Sequence, residues 1–209
     1  MSIINTETLT ALWNEAQQQP EWATTQLWEH IFNRIVFNNH PWIVSSQQPP
    51  TRQDGDLRRV DLVVKRVTSG ITLTLLFMEA KRGHPSPSDV ALVEMQAYTA
   101  ACAYAVEMNS VNPIWAMTCV GSQARLWIFD WDQPFLTPFF PDTHGNGELS
   151  EYIEISRQGT DLLERLEYIK ANPIPPVHLL HESSPRPTNA TLPNDWPDDE
   201  VKLRDSQHS

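Results

Sequence analysis

Asp61, Glu79 and Lys81 are the residues of this 209-residue chain whose types and spacing could do chemistry together. Two carboxylates offer hard oxygen atoms, and an ammonium offers a positive charge and exchangeable protons. They stand at the ends of two runs rich in β-branched and apolar residues, Val60–Val67 and Ile71–Lys81, around a short Thr-Ser-Gly segment. That pattern predicts a β-hairpin, which folds the distant ends back together. A two-residue turn at Ser69-Gly70 would set Asp61 opposite Met78. A three-residue turn, or a single β-bulge, would set it opposite Glu79. In the second case Asp61, Glu79 and Lys81 share one face, together with Leu73, Leu75 and Phe77, and that face is expected to be the core side. Two carboxylates and an ammonium at the end of a core-facing strand are costly unless they bind something.

An Asp, a hairpin and then Glu-x-Lys resembles the motif of the PD-(D/E)XK nuclease superfamily, the restriction-endonuclease-like proteins. Asp61, Glu79 and Lys81 occupy the matching places, with Ala80 as the variable residue and Val60 where the namesake proline would stand. The other reading is an ordinary surface hairpin with charged ends. The element order favours the resemblance. A helix over about residues 21–37 precedes a short strand at His40–Ser46. The hairpin comes next, then a long helix starting near Ser88 and capped by Ser88 or Asp89, then a strand at Ile114–Val120. This αβββαβ order is the core of that α/β fold, with a mixed central sheet flanked by helices. A second hairpin partner at Arg125–Trp131 and a helix over Thr160–Ala171 are additions to it.

Two further residues fall where the family carries site residues. Glu29 sits beside Phe32 and Val36 at the edge of the apolar stripe of the helix before the sheet. Gln96 lies beside Ala100 and Ala103, with Leu92 nearby, on a small-residue face of the helix after Glu-x-Lys. The resemblance implies a magnesium or manganese ion held by Asp61, Glu79 and the backbone carbonyl of Ala80. Glu29 would reach it through water, Lys81 would orient or deprotonate the attacking water, and Gln96 would position that water or the backbone. The implied activity is phosphodiester hydrolysis in nucleic acid, with DNA expected before RNA. Two other classes stay open: a catalytically inactive nuclease-like module that binds protein, and a metal-dependent hydrolase acting on a nucleotide or RNA end.

A net charge of −11 argues against tight duplex binding, but the charge is unevenly placed. Residues 52–125 carry eight basic and seven acidic side chains, whereas residues 126–209 carry six basic and fifteen acidic. Arg52, Arg58, Arg59, Lys65, Arg66, Lys81, Arg82 and Arg125 are the expected phosphate contacts. The acidic C-terminal half is a candidate surface for a protein partner. Residues 1–171 are expected to form the domain. Residues 172–209, rich in proline and acid, are expected to be a flexible tail. His178-Leu-Leu-His181 has a spacing that some metal sites use, but with no cysteine nearby it is read as chance. Cys102 and Cys119 are expected as buried free thiols. No apolar run spans a bilayer and no leader pattern opens the chain, so the expected location is intracellular, cytoplasmic or nuclear, rather than secreted.

Overall fold

Caps and prolines set the helix boundaries at the start of the chain. The Thr6 hydroxyl accepts a hydrogen bond from the Leu9 N–H at 3.2 Å and starts helix α1 (Glu7–Gln18). Pro20 precedes helix α2 (Glu21–Ile31), which widens into a π turn at Phe32–Val36. Strand β1 (Trp42–Gln48) leads through the polar loop to β2 (Val60–Thr68) and β3 (Ile71–Lys81). Helix α3 (Pro87–Met108) is capped by Ser86, not by Ser88 or Asp89 themselves. The Ser86 side chain accepts from Asp89 N, and the Asp89 carboxylate accepts from Ser86 N. The chain continues through β4 (Ile114–Val120), β5 (Gln123–Phe129), β6 (Leu136–Phe140), β7 (Ile153–Glu154), α4 (Ile155–Ala171) and α5 (Asp199–Gln207). This computed structural model describes residues 1–145 and 147–208.

The architecture is α/β: an open, mixed sheet in the order β1-β2-β3-β4-β5-β6, with β7 also paired to β5, and helices on both faces. The β3–β4 pair is parallel and α3 is its crossover; the other pairs are antiparallel. Alternation along the strands divides the core in two. Leu62, Val64, Leu76, Met78 and Met117 pack with Leu27, Trp28 and Ile31 of α2. Val63, Phe77, Ala116, Trp127 and Phe129 pack beneath Ala97, Ala101 and Ala105 of α3. The small side chains of α3 let that helix lie close over the sheet. Two fully buried indoles keep their N–H groups satisfied, Trp28 on the Gly121 carbonyl at 2.9 Å and Trp115 on the Asn172 carbonyl at 2.8 Å.

Two regions differ from the sequence-based expectation. The loop-rich stretch 132–158 contains β6, despite Pro138 within it and Pro134 and Pro141 beside it. Strand β6 is the last strand of the sheet, an edge where a missing N–H is tolerated. The segment beyond Asn172 is not a detached flexible tail. Trp196 and Val201 are buried in the cluster beneath α3, and α5 packs on α3 itself. Arg58 binds both Asp56 and Glu200 at 2.9 Å, Arg186 reaches Asp205 at 2.7 Å, and Arg204 donates to the Trp131 carbonyl at 2.9 Å. The composition is polar, but two apolar anchors and three forked guanidinium groups order it. Cys102 and Cys119 are free and buried. No helix among the described residues is long and apolar enough to cross a membrane.

Candidate active site

The β2–β3 turn is the two-residue kind, with Ser69 at φ 51° and Gly70 at φ 79°, as a tight hairpin turn requires. Near the turn Thr68 pairs with Ile71 and Lys65 with Thr74; beyond it Val64 pairs with Leu76 and Leu62 with Met78. The register therefore shifts by one residue, and Leu75 has no partner of its own. That bulge sets Asp61 across from Glu79. It also removes Leu73 and Leu75 from the face of Phe77: Leu75 packs with Leu76 on the α2 side, and Leu73 is largely exposed. The apolar core in fact lies on both faces, and the two carboxyl groups stand on the α3 side.

Asp61 is 6% exposed and Glu79 1%. Asp61 Oδ2 accepts from the Ala80 N–H at 2.8 Å, and Oδ1 accepts from Gln47 Nε2 at 3.0 Å. Gln47 has a φ of 52°, in a region non-glycine residues seldom occupy. Burial pushes the Asp61 carboxyl up to about 6, against the lowering effect of the Ala80 hydrogen bond. Burial first, then the charge of Asp61, holds Glu79 well above the ordinary carboxylate range. Each carboxyl group thus favours the proton-bearing form, and the charge of one raises the other. Glu79 Oε1 nevertheless lies buried with no hydrogen-bond partner.

Lys81 ends β3. Its ammonium makes an ion pair with Glu21 Oε2 at 3.0 Å and donates to the Ala80 carbonyl at 3.1 Å. The carbonyl expected as a metal ligand thus has a partner already, and becomes available when Lys81 turns away. Glu21 is the acidic residue that α2 brings to the site, and its charge acts on both Asp61 and Glu79. Glu29, the expected helix residue, is not there. It lies in a surface groove with Gln26, His30, Asn33 and Arg34. Eight residues of helix separate Glu29 from Glu21, about 12 Å along the axis. The first turn of α2 brings a carboxylate, Glu21, to the end of β3. Gln96 is on the buried face of α3, and its Oε1, like Glu79 Oε1, is buried without a partner.

Glycine contacts brace this end of the sheet. The Gly121 N–H donates to the Lys81 carbonyl at 3.0 Å, and a Cβ on Gly83 would sit 2.8 Å from the Ala16 carbonyl. On the parallel neighbour Thr118 pairs with Glu79, and Arg125 pairs with Thr118. Asp61, Glu79, Thr118 and Arg125 therefore form one polar row across four strands. The far end of the row is a hydrogen-bonded network, within which Arg125 Nε is buried without a partner. Thr118 Oγ1 accepts from Trp127 Nε1 at 2.9 Å and bonds the Tyr152 hydroxyl at 2.8 Å; Tyr152 donates to Glu94 Oε1 at 3.2 Å. Glu94 also accepts from the Gly147 N–H at 2.8 Å, and burial pushes its carboxyl up to about 7.

Arg58 and Arg125, two of the expected phosphate contacts, are buried in these internal pairs and are removed from that role. Sequence reasoning missed Glu21 and Gln47. The Pro20-Glu21 helix start was a signal for the first, whereas nothing local marks the second. Against protein-family models, curated proteins and solved structures the chain gives no match.

Proposed function

We propose that this chain is a metal-dependent nuclease of the PD-(D/E)XK type, hydrolysing phosphodiester bonds in nucleic acid, with DNA preferred to RNA. One observation carries the reading: Asp61 and Glu79 face each other on paired strands, buried, with Glu79 Oε1 unpartnered and Lys81 at the same strand end. A divalent cation of the magnesium or manganese class fits this donor set, because it prefers hard oxygen ligands and would offset the charge that burial disfavours on both carboxyl groups. Asp61 and Glu79 would hold it, with the Ala80 carbonyl as a third donor. When bound, such an ion polarises a phosphate and lowers the pKa of a water. The rest falls to the chain's own residues. The Ala80 N–H and Gln47 fix the Asp61 carboxylate, so little reorganisation is needed at the site. Lys81, released from Glu21, would neutralise charge developing on the phosphate and orient the attacking water as an ammonium. Glu21 holds the ammonium in place until then.

The test is cleavage of end-labelled single- and double-stranded DNA and RNA in magnesium, in manganese and in EDTA. Metal-dependent cleavage is expected, with Lys81→Ala and Glu79→Gln slower by about 10²–10⁴. Absence of cleavage of every substrate by a folded protein would overturn the proposal in favour of an interaction module. Cleavage equally fast in both variants would overturn the assigned site.

A further inference from the structure

Outside the carboxyl pair, one cluster brings together ligand atoms of another kind. Asp142 and His144 lie in the loop after β6, and His181 lies in the segment after α4. One oxygen and two ring nitrogens from these residues all fall within 4.8 Å of one another. His181 is also the residue dismissed when its spacing to His178 was considered. Its partners in space come from a different loop.

Three features build the site. First, the backbone on both sides is fixed. Between Asp142 and His144, Thr143 gives its carbonyl and hydroxyl to the buried Arg125 guanidinium, which also takes the Gly145 carbonyl at 2.7 Å. Opposite, the His181 carbonyl accepts from Thr137 Oγ1 at 3.3 Å, and the Ser184 N–H donates to the Leu136 carbonyl at 3.0 Å. Second, the His181 tautomer is set. Nδ1 lies 3.2 Å from the Glu182 carbonyl, an atom that only accepts, so Nδ1 carries the proton. In the neutral ring Nε2 then presents a lone pair, which is the usual second-sphere arrangement of a metal-bound histidine. Third, that Nε2 faces Asp142 Oδ1 at 3.5 Å, long for a charge-assisted hydrogen bond. With a protonated ring this contact is an ion pair; with a neutral ring it sets two electron-pair donors opposite each other, an arrangement that a metal cation between them would satisfy. The His144 ring is edge-on to His181 with centroids 5.7 Å apart, so a second imidazole closes the third side.

We propose that Asp142, His144 and His181 bind one transition-metal ion of the zinc class, with a fourth position open to water. Two imidazoles and a carboxylate suit zinc rather than magnesium. Ligands held at about 2.0–2.2 Å in a tetrahedron stand about 3.4 Å apart, so the exposed side chains close by rotation around the ion. The ion clamps the 181–184 segment to the loop after β6. The site shares no residue with the Asp61–Glu79 pair and is independent of the nuclease reading.

The experiment titrates zinc into the full chain, stripped with a chelator, by calorimetry, and cobalt by its visible absorption. Wild type and Asp61→Asn should each bind one equivalent of zinc, show the absorption of four-coordinate cobalt and melt higher with zinc. His144→Ala and His181→Ala alter exposed or partly exposed side chains and should fold. Each should weaken zinc binding more than about tenfold, since even loss of an outer-sphere partner costs about that much. Failure of the wild type to bind zinc, or binding that survives both histidine substitutions, would overturn the proposal.

Discussion

Replacing Asp61 by asparagine should stabilise the metal-free protein at pH 8, and the size of the gain follows from the site. The Asp61 carboxyl is raised from 3.8 to about 6, chiefly by burial. A change of that size corresponds to about 3 kcal/mol between the protonated and charged forms. Because the folded value is the higher one, the native state holds the proton more tightly than the unfolded chain. The stabilising contribution is complete below about pH 4 and is lost as the pH rises through about 6. Of the whole, about 1.4 kcal/mol disappears between pH 5 and pH 8. Asparagine has no charge to lose. Its Oδ1 can keep the Ala80 N–H, and its Nδ2 can donate to Gln47 once that amide turns over. Losing a hydrogen bond to a charged group takes back about 1 kcal/mol, so the net gain at pH 8 is about 2 kcal/mol. For a chain of this length that raises Tm by about 4–8 °C. The assay is thermal unfolding of both proteins in EDTA at pH 5, 6, 7 and 8, repeated at pH 8 with magnesium. The advantage of Asp61→Asn should grow with pH in EDTA, and magnesium should raise the wild-type Tm alone. A variant less stable than wild type by the same amount at every pH would refute the reasoning, since Asp61 would then be an ordinary satisfied structural carboxylate.

Trp196→Ala should cost about 3–5 kcal/mol by opening the cluster beneath α3, read as a fall in Tm. An unchanged Tm would mean that the C-terminal segment does not dock. Gly83→Ala puts a Cβ 2.8 Å from the Ala16 carbonyl, so it should cost about 1–3 kcal/mol and displace the end of β3; denaturant unfolding measures the cost, and a fall in cleavage rate reports the displacement. With Arg58 and Arg125 committed internally, binding to DNA should rest on few phosphates, with a log–log salt slope of about −2 to −4 by fluorescence anisotropy. A slope near −8 would mean a basic surface that the sequence does not provide.

What the sequence disclosed was local and periodic. The hairpin, the helix after Glu-x-Lys and a second hairpin were legible because alternation and turn chemistry act over a few residues. The helix cap was read two or three residues late, and the second turn was read as Gly121-Ser122-Gln123 where β5 already starts at Gln123. The β-bulge was legible only as an alternative. Leu75 has no special residue type, and its effect on Leu73 and Leu75 depends on packing against β2. Glu29 was picked and Glu21 passed over unexamined, because the helical wheel reports which face is buried and not which end reaches the sheet. Gln47 was invisible because its partner lies on a strand whose register no turn fixes. The C-terminal segment was misread for a related reason: Trp196, Val201 and three arginines act at long range within a composition that otherwise signals disorder.

The polar row across β2, β3, β4 and β5 contains its own control. At one end Glu94 is buried yet accepts from Gly147 and Tyr152, with Arg125 at 4.0 Å. Tyr152 spends its proton on Glu94, so Thr118 gives its own proton to Tyr152 while accepting from Trp127. Thr118 is the neighbour of Glu79 in register and has no proton left to offer it. Glu79 Oε1 has no hydrogen-bond partner, although its register neighbour belongs to that network. A buried oxygen without a donor costs about 1–3 kcal/mol, more when charged. Glu94 has both oxygens engaged, whereas Glu79 and, on α3, Gln96 each keep a bare buried oxygen. Glu94 is thus a structural buried carboxylate; Glu79, with Oε1 bare, is the one left for a ligand. The open end is also where Lys81 and Glu21 meet, at the mouth of the row. The chemistry proposed for this protein is assigned there for that reason, and not to Glu94, whose carboxyl is also raised.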